Sequence, residues 1–457
     1  MEARATKLIQ FHENQAVISL WMRLTGPLLR WATPSRRRAL LSLGAIAMAG
    51  KFLAGGGKVT LPQDGWIGWL VPGAVVGILF FIFLACFHAA RSLSRLPEPV
   101  RRRPQFTLHG IFWISLALGF LLLPREGIIP AVLMGVAMML PFFLWRLGYL
   151  FLSGKRGKVA GTRFRDHLMY LWPLWGGSST PYGKGLDYLA RTEAKDQESL
   201  ARSQLAGLRL LILAGLWMAF KEAMEGALFG AKNWFGLFLG DAFVNFPRLK
   251  ELVAEPREGN LLVGWAVVYL ELFVNVLNRA AKGHLIIGVL RIFGFYVFRN
   301  TYKPLLAETV VGFWNRYYYY FKELLVEFFF YPTFAKYFKG NPKMRLFAAV
   351  FMAAFVGNMY YHLLSMSDRL LLGEAEIVRN ILTTRWVYCL LLSLGIFVSM
   401  LREQKVGKGD GPRRGLRRVG AIFTVWTFFA VINIWNQRGA GDLESSTRFF
   451  LSLLGLG

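Results

Sequence analysis

The sequence predicts an all-helical polytopic integral membrane protein, and three observations carry that prediction. The chain has 457 residues, 55% of them hydrophobic, too many for an ordinary soluble domain. Residues 66–90, WIGWLVPGAVVGILFFIFLACFHAA, run 25 residues without Asp, Glu, Lys or Arg, and a bilayer core needs only about 20 apolar residues in a helix. The apolar runs are also continuous and rich in Leu, Phe and Ala, whereas barrel strands alternate over segments of ~10 residues.

Taken in order, residues 7–31 interleave Leu8, Phe11, Trp21, Leu24, Leu28 and Trp31 with Lys7, Arg23 and Arg30. That pattern predicts an amphipathic helix lying on the cytoplasmic leaflet, so 1–38 is read as an interfacial segment and 39–457 as a single multi-span membrane domain. Residues 39–54 form a short apolar run. After 66–90, further candidate spans are 106–123, 127–145, 205–220, 261–277, 346–366, 386–401 and 419–435. With the broken runs between them they give roughly nine to eleven spans, plus re-entrant or interfacial helices.

Two interrupted stretches stand apart. The middle of the polar segment 153–204, LMYLWPLWGGSSTPYGKGLDYL, carries Trp172, Pro173, Trp175, Gly176, Gly177 and Pro181. Proline and paired glycine break a helix, which leaves a re-entrant segment or an aromatic belt loop as readings. Residues 284–304 carry Arg291, Gly294 and Pro304 and read as a half-span ending near Asn300. Loop 221–260 mixes acids and bases and is expected to face outward.

Lys and Arg total 54 against 27 Asp and Glu. On a soluble chain such a balance suggests nucleic acid. On a membrane chain it places basic loops beside anionic lipid, and no nucleic-acid partner is expected. Arg23, Arg30 and Arg36–Arg38 precede a loop, 55–65, that has only Lys58 and Asp64. Loop 91–105 is basic again, loop 124–127 is neutral, and 402–418 has seven basic residues against Glu403 and Asp410. The alternation puts the N-terminus in the cytoplasm. No N-x-Ser/Thr acceptor occurs, which fits a bacterial cytoplasmic membrane. Cys86 and Cys389 sit in apolar runs and read as packing residues. No metal-ligand spacing is present, so no metal site and no bound cofactor are expected.

Two places put polar groups where lipid or core is expected. One is GFWNRYYYYFKELL, 312–325. On a helix, Phe313, Tyr317, Tyr320, Phe321, Leu324 and Phe328 form an aromatic side, and Arg316, Tyr320, Glu323 and Glu327 another. The segment reads either as a wall of a bundle interior or as a juxtamembrane helix with solvated charges. The other is His362, in FAAVFMAAFVGNMYYHLLSM (347–366), with Asn358 four residues earlier on the same face. A neutral imidazole accepts and returns a proton near pH 7, although packing alone also accounts for a lone intramembrane histidine.

These features, in this order, resemble the membrane-bound O-acyltransferase (MBOAT) family, in the bacterial branch that includes alginate O-acetyltransferases and teichoic-acid D-alanyl transfer proteins. That branch carries a Phe-Trp-Arg-Arg-Trp-His helix ending in Asp-Tyr-x-Tyr-x-Pro. Here the stretch reads FWNRYYYYFKELLVEFFFYP: Phe313, Trp314, Arg316 and Pro332 match, and Glu327 stands where the family has Asp. GFYVFRNTYKPLLA (294–307) is similar to the family's upstream spacing, and FTVWTFFAVINIWNQRGAGDLESSTRFFLSLLG to its last span and short helix. The resemblance covers roughly 262–457 and, more weakly, 164–230, giving a core of about 164–457. Tyr318 occupies the place of the first family histidine, Asn315 that of an arginine, and Tyr361-His362-Leu363 that of Trp-His-Gly.

The resemblance implies acyl transfer from a cytoplasmic thioester, acyl-CoA or an acyl-carrier protein, to a hydroxyl of a surface polysaccharide or lipid-linked glycan. It implies His362 as general base and Tyr318, Asn315 or Arg316 as donors to the carbonyl oxygen, with Arg316 alternatively an ion-pair partner of Glu323 or Glu327. Trp314 and Asn358 would line the substrate site. Membrane lipids and an extracytoplasmic acyltransferase are the partners it implies. The competing readings are a catalytically inactive scaffold and a transporter of an anionic lipid or glycan.

Overall fold

The computed structural model describes residues 10–54, 67–122, 127–171, 184–230, 245–254, 261–405, 414–437 and 441–456. The loop 55–65, the broken stretch from Trp172 to Pro181, the middle of loop 221–260 and the centre of the basic loop 402–418 lie outside these residues. The described residues contain helices and no strand, with one isolated bridge between Glu193 and Phe295.

Seven helices are long and apolar enough to cross a membrane: Leu70–Arg91, Pro104–Leu122, Gln197–Phe229, Leu261–Ile292, Pro342–Leu364, Ala375–Gln404 and Gly415–Asn436. An eighth is added if Ile128–Pro141 and Phe143–Lys155, bent by 58°, form one span. The chain is therefore a multi-pass helical membrane protein with fewer such helices, among the described residues, than the nine to eleven expected. The runs 261–277 and the start of 284–304 belong to one helix of 32 residues, about 48 Å long at 1.5 Å per residue. Pro34–Ala54 opens on Arg36, Arg37 and Arg38, which shortens its apolar part.

The chain divides into two compact units. One comprises Met1–Leu211, Leu285–Phe298 and Ser365–Glu374; the other comprises Ile212–His284, Arg299–Leu364 and Ala375–Gly457.

In the first unit, α1 (Gln15–Trp31) starts where Asn14 Oδ1 accepts the Ala16 N–H at 2.9 Å, an N-cap that satisfies a donor with no intrahelical partner. Ile18 and Leu29 pack on Ala194, Leu200, Ala201 and Leu205, and Trp21 Nε1 donates to Gln204 Oε1 at 2.9 Å. Leu20, Leu24, Leu28 and Trp31 are exposed and, at helical spacing, form a second apolar stripe beside Arg23 and Arg30. Next, α2 (Pro34–Ala54) carries Arg37, only 3% exposed. Its Nη1 donates to the Phe293 carbonyl at 3.0 Å and its Nη2 to that of Ala194 at 2.7 Å. The guanidinium thus ties two chain segments that also exchange backbone bonds, Ala194 N–H to Gly294 O and Tyr296 N–H to Thr192 O, each 2.8 Å. Arg38 pairs with Glu193.

The spans α3 (Ile67–Arg91), α4 (Pro104–Leu122) and α5 (Ile128–Lys155) follow. Val71, Val75 and Leu79, four residues apart on one face of α3, meet Met139 and Phe143 of α5. Next, α6 (Gln197–Phe229) and α7 (Leu261–Ile292) approach closely at two glycines. A Cβ on Gly207 would stand 2.7 Å from the Gly288 carbonyl oxygen and 2.8 Å from the Ile292 nitrogen. Small residues let membrane helices touch backbone to backbone, and Ser203 Oγ, one turn earlier, donates to the Arg291 carbonyl at 2.8 Å.

His167, 1% exposed, sits under Phe87, with Nε2 2.7 Å from Thr162 Oγ1. Thr162 gives its own proton to the Val159 carbonyl, so the histidine donates and Thr162 accepts. Burial pushes the imidazole down to about 4. A folded-state value below the unfolded one means that the unfolded chain binds the proton more readily, so stability falls as pH drops from 6.5 towards 4. Between pH 7 and pH 5 the loss from this one group is about 2 kcal/mol. The expected result is an unfolding midpoint in detergent that falls over this range in the wild type and falls less in His167→Asn.

In the second unit, Arg248 lies between two carboxylates. Its Nε and Nη2 are 2.6 and 3.2 Å from Glu271 on α7, and its Nη1 is 2.9 Å from Glu225 on α6. Lys221 adds contacts of 2.6 Å to Glu222 and 2.8 Å to Glu225. Farther along come α8 (Val310–Tyr317), α9 (Tyr319–Leu325), α10 (Pro342–Phe351), α11 (Asn358–Leu364), α12 (Ala375–Lys405), α13 (Gly415–Ile432) and α14 (Leu443–Ser452). N-caps fix several starts: Thr309 accepts from Gly312, Asn341 from Met344, and Asp442 from Ser445. Phe313 of α8 stacks on Phe429 of α13 with centroids 3.9 Å apart. On α7, Tyr269 bonds Thr427 at 2.6 Å and Trp265 Nε1 donates to the Leu453 carbonyl at 3.0 Å.

Candidate functional site

The stretch 312–325 is two helices, not one. Tyr318, between α8 and α9, has φ −145° and ψ 67°, outside the helical region, and the backbone groups freed there are paired by an upstream strap. Asn300 accepts the Tyr319 N–H on its carbonyl at 2.9 Å and the Tyr320 N–H on Oδ1 at 3.2 Å. Thr301 Oγ1 donates to the Tyr317 carbonyl at 3.0 Å, and Tyr302 N–H to the Arg316 carbonyl at 2.8 Å. Asn300 and Thr301 are 1% and 2% exposed. Buried backbone groups need hydrogen-bond partners, and at this break the strap supplies them.

The break changes which residues share a side. Trp314 is buried, Tyr318 half-buried, and Asn315 and Arg316 are exposed. Arg316 Nη1 donates to the Leu306 carbonyl at 3.3 Å, and Glu323 pairs with Lys322. From Tyr318 a chain of rings runs to His362. Tyr318 meets Phe321 at 5.0 Å, Phe321 meets Tyr361 at 4.7 Å, and Tyr361 meets His362 at 6.2 Å between centroids. Trp314 joins at Phe321, 6.2 Å away. The structure thus brings Trp314, Tyr318 and His362 into one aromatic cluster and leaves Asn315 and Arg316 outside it.

His362 lies on α11, directly after a π-helical segment, Met352–Gly357. A second π segment, Val326–Phe330, follows α9 and packs against the first. A Cβ on Gly357 would stand 2.7 Å from Phe329 Cδ2, so the two meet at a glycine. Each π turn adds one residue to the helical repeat and re-aims everything after it, which is why such turns collect at functional sites. Because α11 itself is regular, Asn358 and His362 still share a face. Asn358 is buried and the His362 ring half-buried. Met359, on the same turn as Asn358, lines an open, mostly apolar surface groove with Val378, Leu382, Trp386 and Leu443.

One residue of this cluster was not anticipated. Arg279, on α7, places its guanidinium carbon 4.4 Å from the Tyr318 ring centroid and 6.0 Å from that of Tyr317. It also hydrogen-bonds Tyr317 and lies within electrostatic reach of Tyr361 and Tyr388. No carboxylate pairs with it among the described residues. Lys282, three residues on, and Lys221 are both near enough to repel one another's charge, and Arg279 adds to that repulsion. A cation–π contact contributes up to about 2 kcal/mol when desolvated, whereas taking a cation out of water costs several. The tyrosines alone therefore leave this charge under-compensated. The apolar run in the sequence reaches only 277, while the helix continues to Ile292 and carries Arg279 inside a span.

Among the described residues no group of three or more His, Cys, Asp or Glu is arranged to hold a metal. No protein-family model matches the chain, and no curated protein matches it.

Proposed function

We propose that the protein is a membrane-bound O-acyltransferase of a bacterial cytoplasmic membrane, with its N-terminus on the cytoplasmic side. The observation that supports this reading best is the pairing of His362 with buried Asn358 on one face of a membrane helix, beside a broken helix whose Tyr318 joins the same aromatic cluster. In the proposed step, the acceptor hydroxyl attacks the carbonyl carbon of a cytoplasmic thioester from acyl-CoA or an acyl-carrier protein, and His362 takes the hydroxyl proton. The C–O bond forms, the C–S bond breaks, and the proton returns to the departing thiolate. Tyr318 is the hydrogen-bond donor proposed for the carbonyl oxygen as it gains charge, since Asn315 and Arg316 are exposed. Trp314 and Asn358 are proposed to line the substrate site, with the open apolar groove at Met359 beside it. The acceptor proposed is a surface polysaccharide or lipid-linked glycan, handed on with the help of an extracytoplasmic acyltransferase.

The test is acyl transfer from a labelled thioester to purified surface polysaccharide in proteoliposomes. His362→Ala is expected to lower the rate by a factor on the order of 10² to 10⁴, the usual contribution of a general base. Equal rates for wild type and variant would remove the imidazole from the mechanism. A scaffold without chemistry is the second reading. It is favoured by the Tyr318 ring being held between Arg279 and Phe321, and it calls for no thioester turnover by either protein.

A further inference from the structure

We propose that Arg279 is an anion-recognition residue, and that the ligand of this site carries an oxyanion, a carboxylate or a phosphate ester, held by the guanidinium and the phenol groups around it. The inference deepens the acyl-transfer reading by giving the substrate an acidic group, but it rests on separate observations.

The first is the setting. Arg279 is eighteen residues into a 32-residue apolar helix. Charges at such positions face a bundle interior or a watery cavity and mark ligand paths. The second is its company. The rings of Tyr317 and Tyr318 cover the guanidinium, Tyr317 accepts a hydrogen bond from it, and the Tyr361 and Tyr388 phenols lie within electrostatic reach. These are neutral groups. Several carboxylates of the same unit are engaged elsewhere: Glu225 and Glu271 with Arg248, Glu222 and Glu225 with Lys221, Glu323 with Lys322, and Glu308 with Arg418.

The third is the sign of the neighbouring charge. Lys282 follows on the same helix, and Lys221 comes near from α6. Arg385 on α12, whose Nη1 donates to Asn436 Oδ1, also lies within electrostatic reach of Tyr388. Arg279 thus faces a wall of phenols, and no carboxylate pairs with it among the described residues. Tyrosine hydroxyls donate hydrogen bonds to an oxyanion, and a planar guanidinium offers it two parallel N–H groups. Arg279 as a whole residue is half-buried.

The experiment is thermal unfolding of the full chain in detergent at fixed ionic strength. Sodium acetate and inorganic phosphate are each titrated in place of chloride. An ion that binds the folded state raises the midpoint in a saturable way. Wild type and His362→Ala are expected to respond to at least one of the two anions, and Arg279→Gln to bind it on the order of tenfold more weakly or worse. Response to acetate alone identifies a carboxylate ligand; response to phosphate alone identifies a phosphate ester. Arg279→Lys and Tyr317→Phe, which keep the charge, are expected to give intermediate responses and serve if Arg279→Gln does not fold. An unchanged response in Arg279→Gln, or in both charge-retaining variants should that one not fold, overturns the proposal, as does a wild type indifferent to both ions. Because His362→Ala is expected to keep its response, the outcome is separable from that of the acyl-transfer assay.

Discussion

Replacing Arg248 with alanine is expected to be among the most destabilising single changes in the chain, at about 3–5 kcal/mol. The guanidinium is shared by Glu271, whose side chain is 5% exposed, and Glu225, at 15%. Removing it leaves two carboxylates facing each other in a poorly hydrated place, with only Lys221 to answer them. The cost comes from the charges left behind rather than from the bonds lost. Glu271→Gln in the Arg248→Ala background is therefore expected to recover part of the loss, and Arg248→Lys to recover less than a full charge would suggest, because an ammonium cannot reproduce the fork geometry. Unfolding midpoints of the three variants in one detergent check this. A midpoint for Arg248→Ala within about a degree of wild type would mean that water reaches these groups freely.

Gly294→Ala is the second large effect. Gly294 has φ 85°, and a Cβ there would overlap the Arg37 guanidinium. The substitution adds backbone strain and also displaces the side chain that binds the Phe293 and Ala194 carbonyls. Together these are expected to cost about 3 kcal/mol. Gly157→Ala is the control: φ is 72°, but nothing lies within 4 Å of the added atom, so only the strain of about 1 kcal/mol remains. Comparable losses for the two variants would show that Arg37 moves aside without penalty.

How much of this was readable beforehand depends on which physics each feature obeys. The membrane helices were visible because apolar length alone decides them, as in 66–90. The pattern of residues 7–31 announces an amphipathic helix, and within Gln15–Trp31 the residues Leu20, Leu24, Leu28 and Trp31 do form an exposed stripe. The opposite face, with Ile18 and Leu29 packed on Ala201 and Leu205, needed a partner 180 residues away that no local pattern announces. His362 and Asn358 were legible from spacing within one turn. The break at Tyr318 was not: its neighbours are good helix residues, and the interruption is imposed by Asn300–Tyr302. Placing Arg316 opposite Glu323 assumed an unbroken helix, and that assumption failed at one residue. The apolar run 261–277 passes Glu271 but ends before Asn278 and Arg279, whereas a helix stops only when its hydrogen bonds do, here at Ile292.

The strap at Asn300–Tyr302 has a consequence for evolution. Its hydrogen bonds reach main-chain atoms of residues 316, 317, 319 and 320. The bend is therefore written into a different part of the gene from the residue that sits at its apex. A change at position 318 leaves the main-chain grip of the bend in place, while the Arg279 and Phe321 contacts of its ring set what it can become.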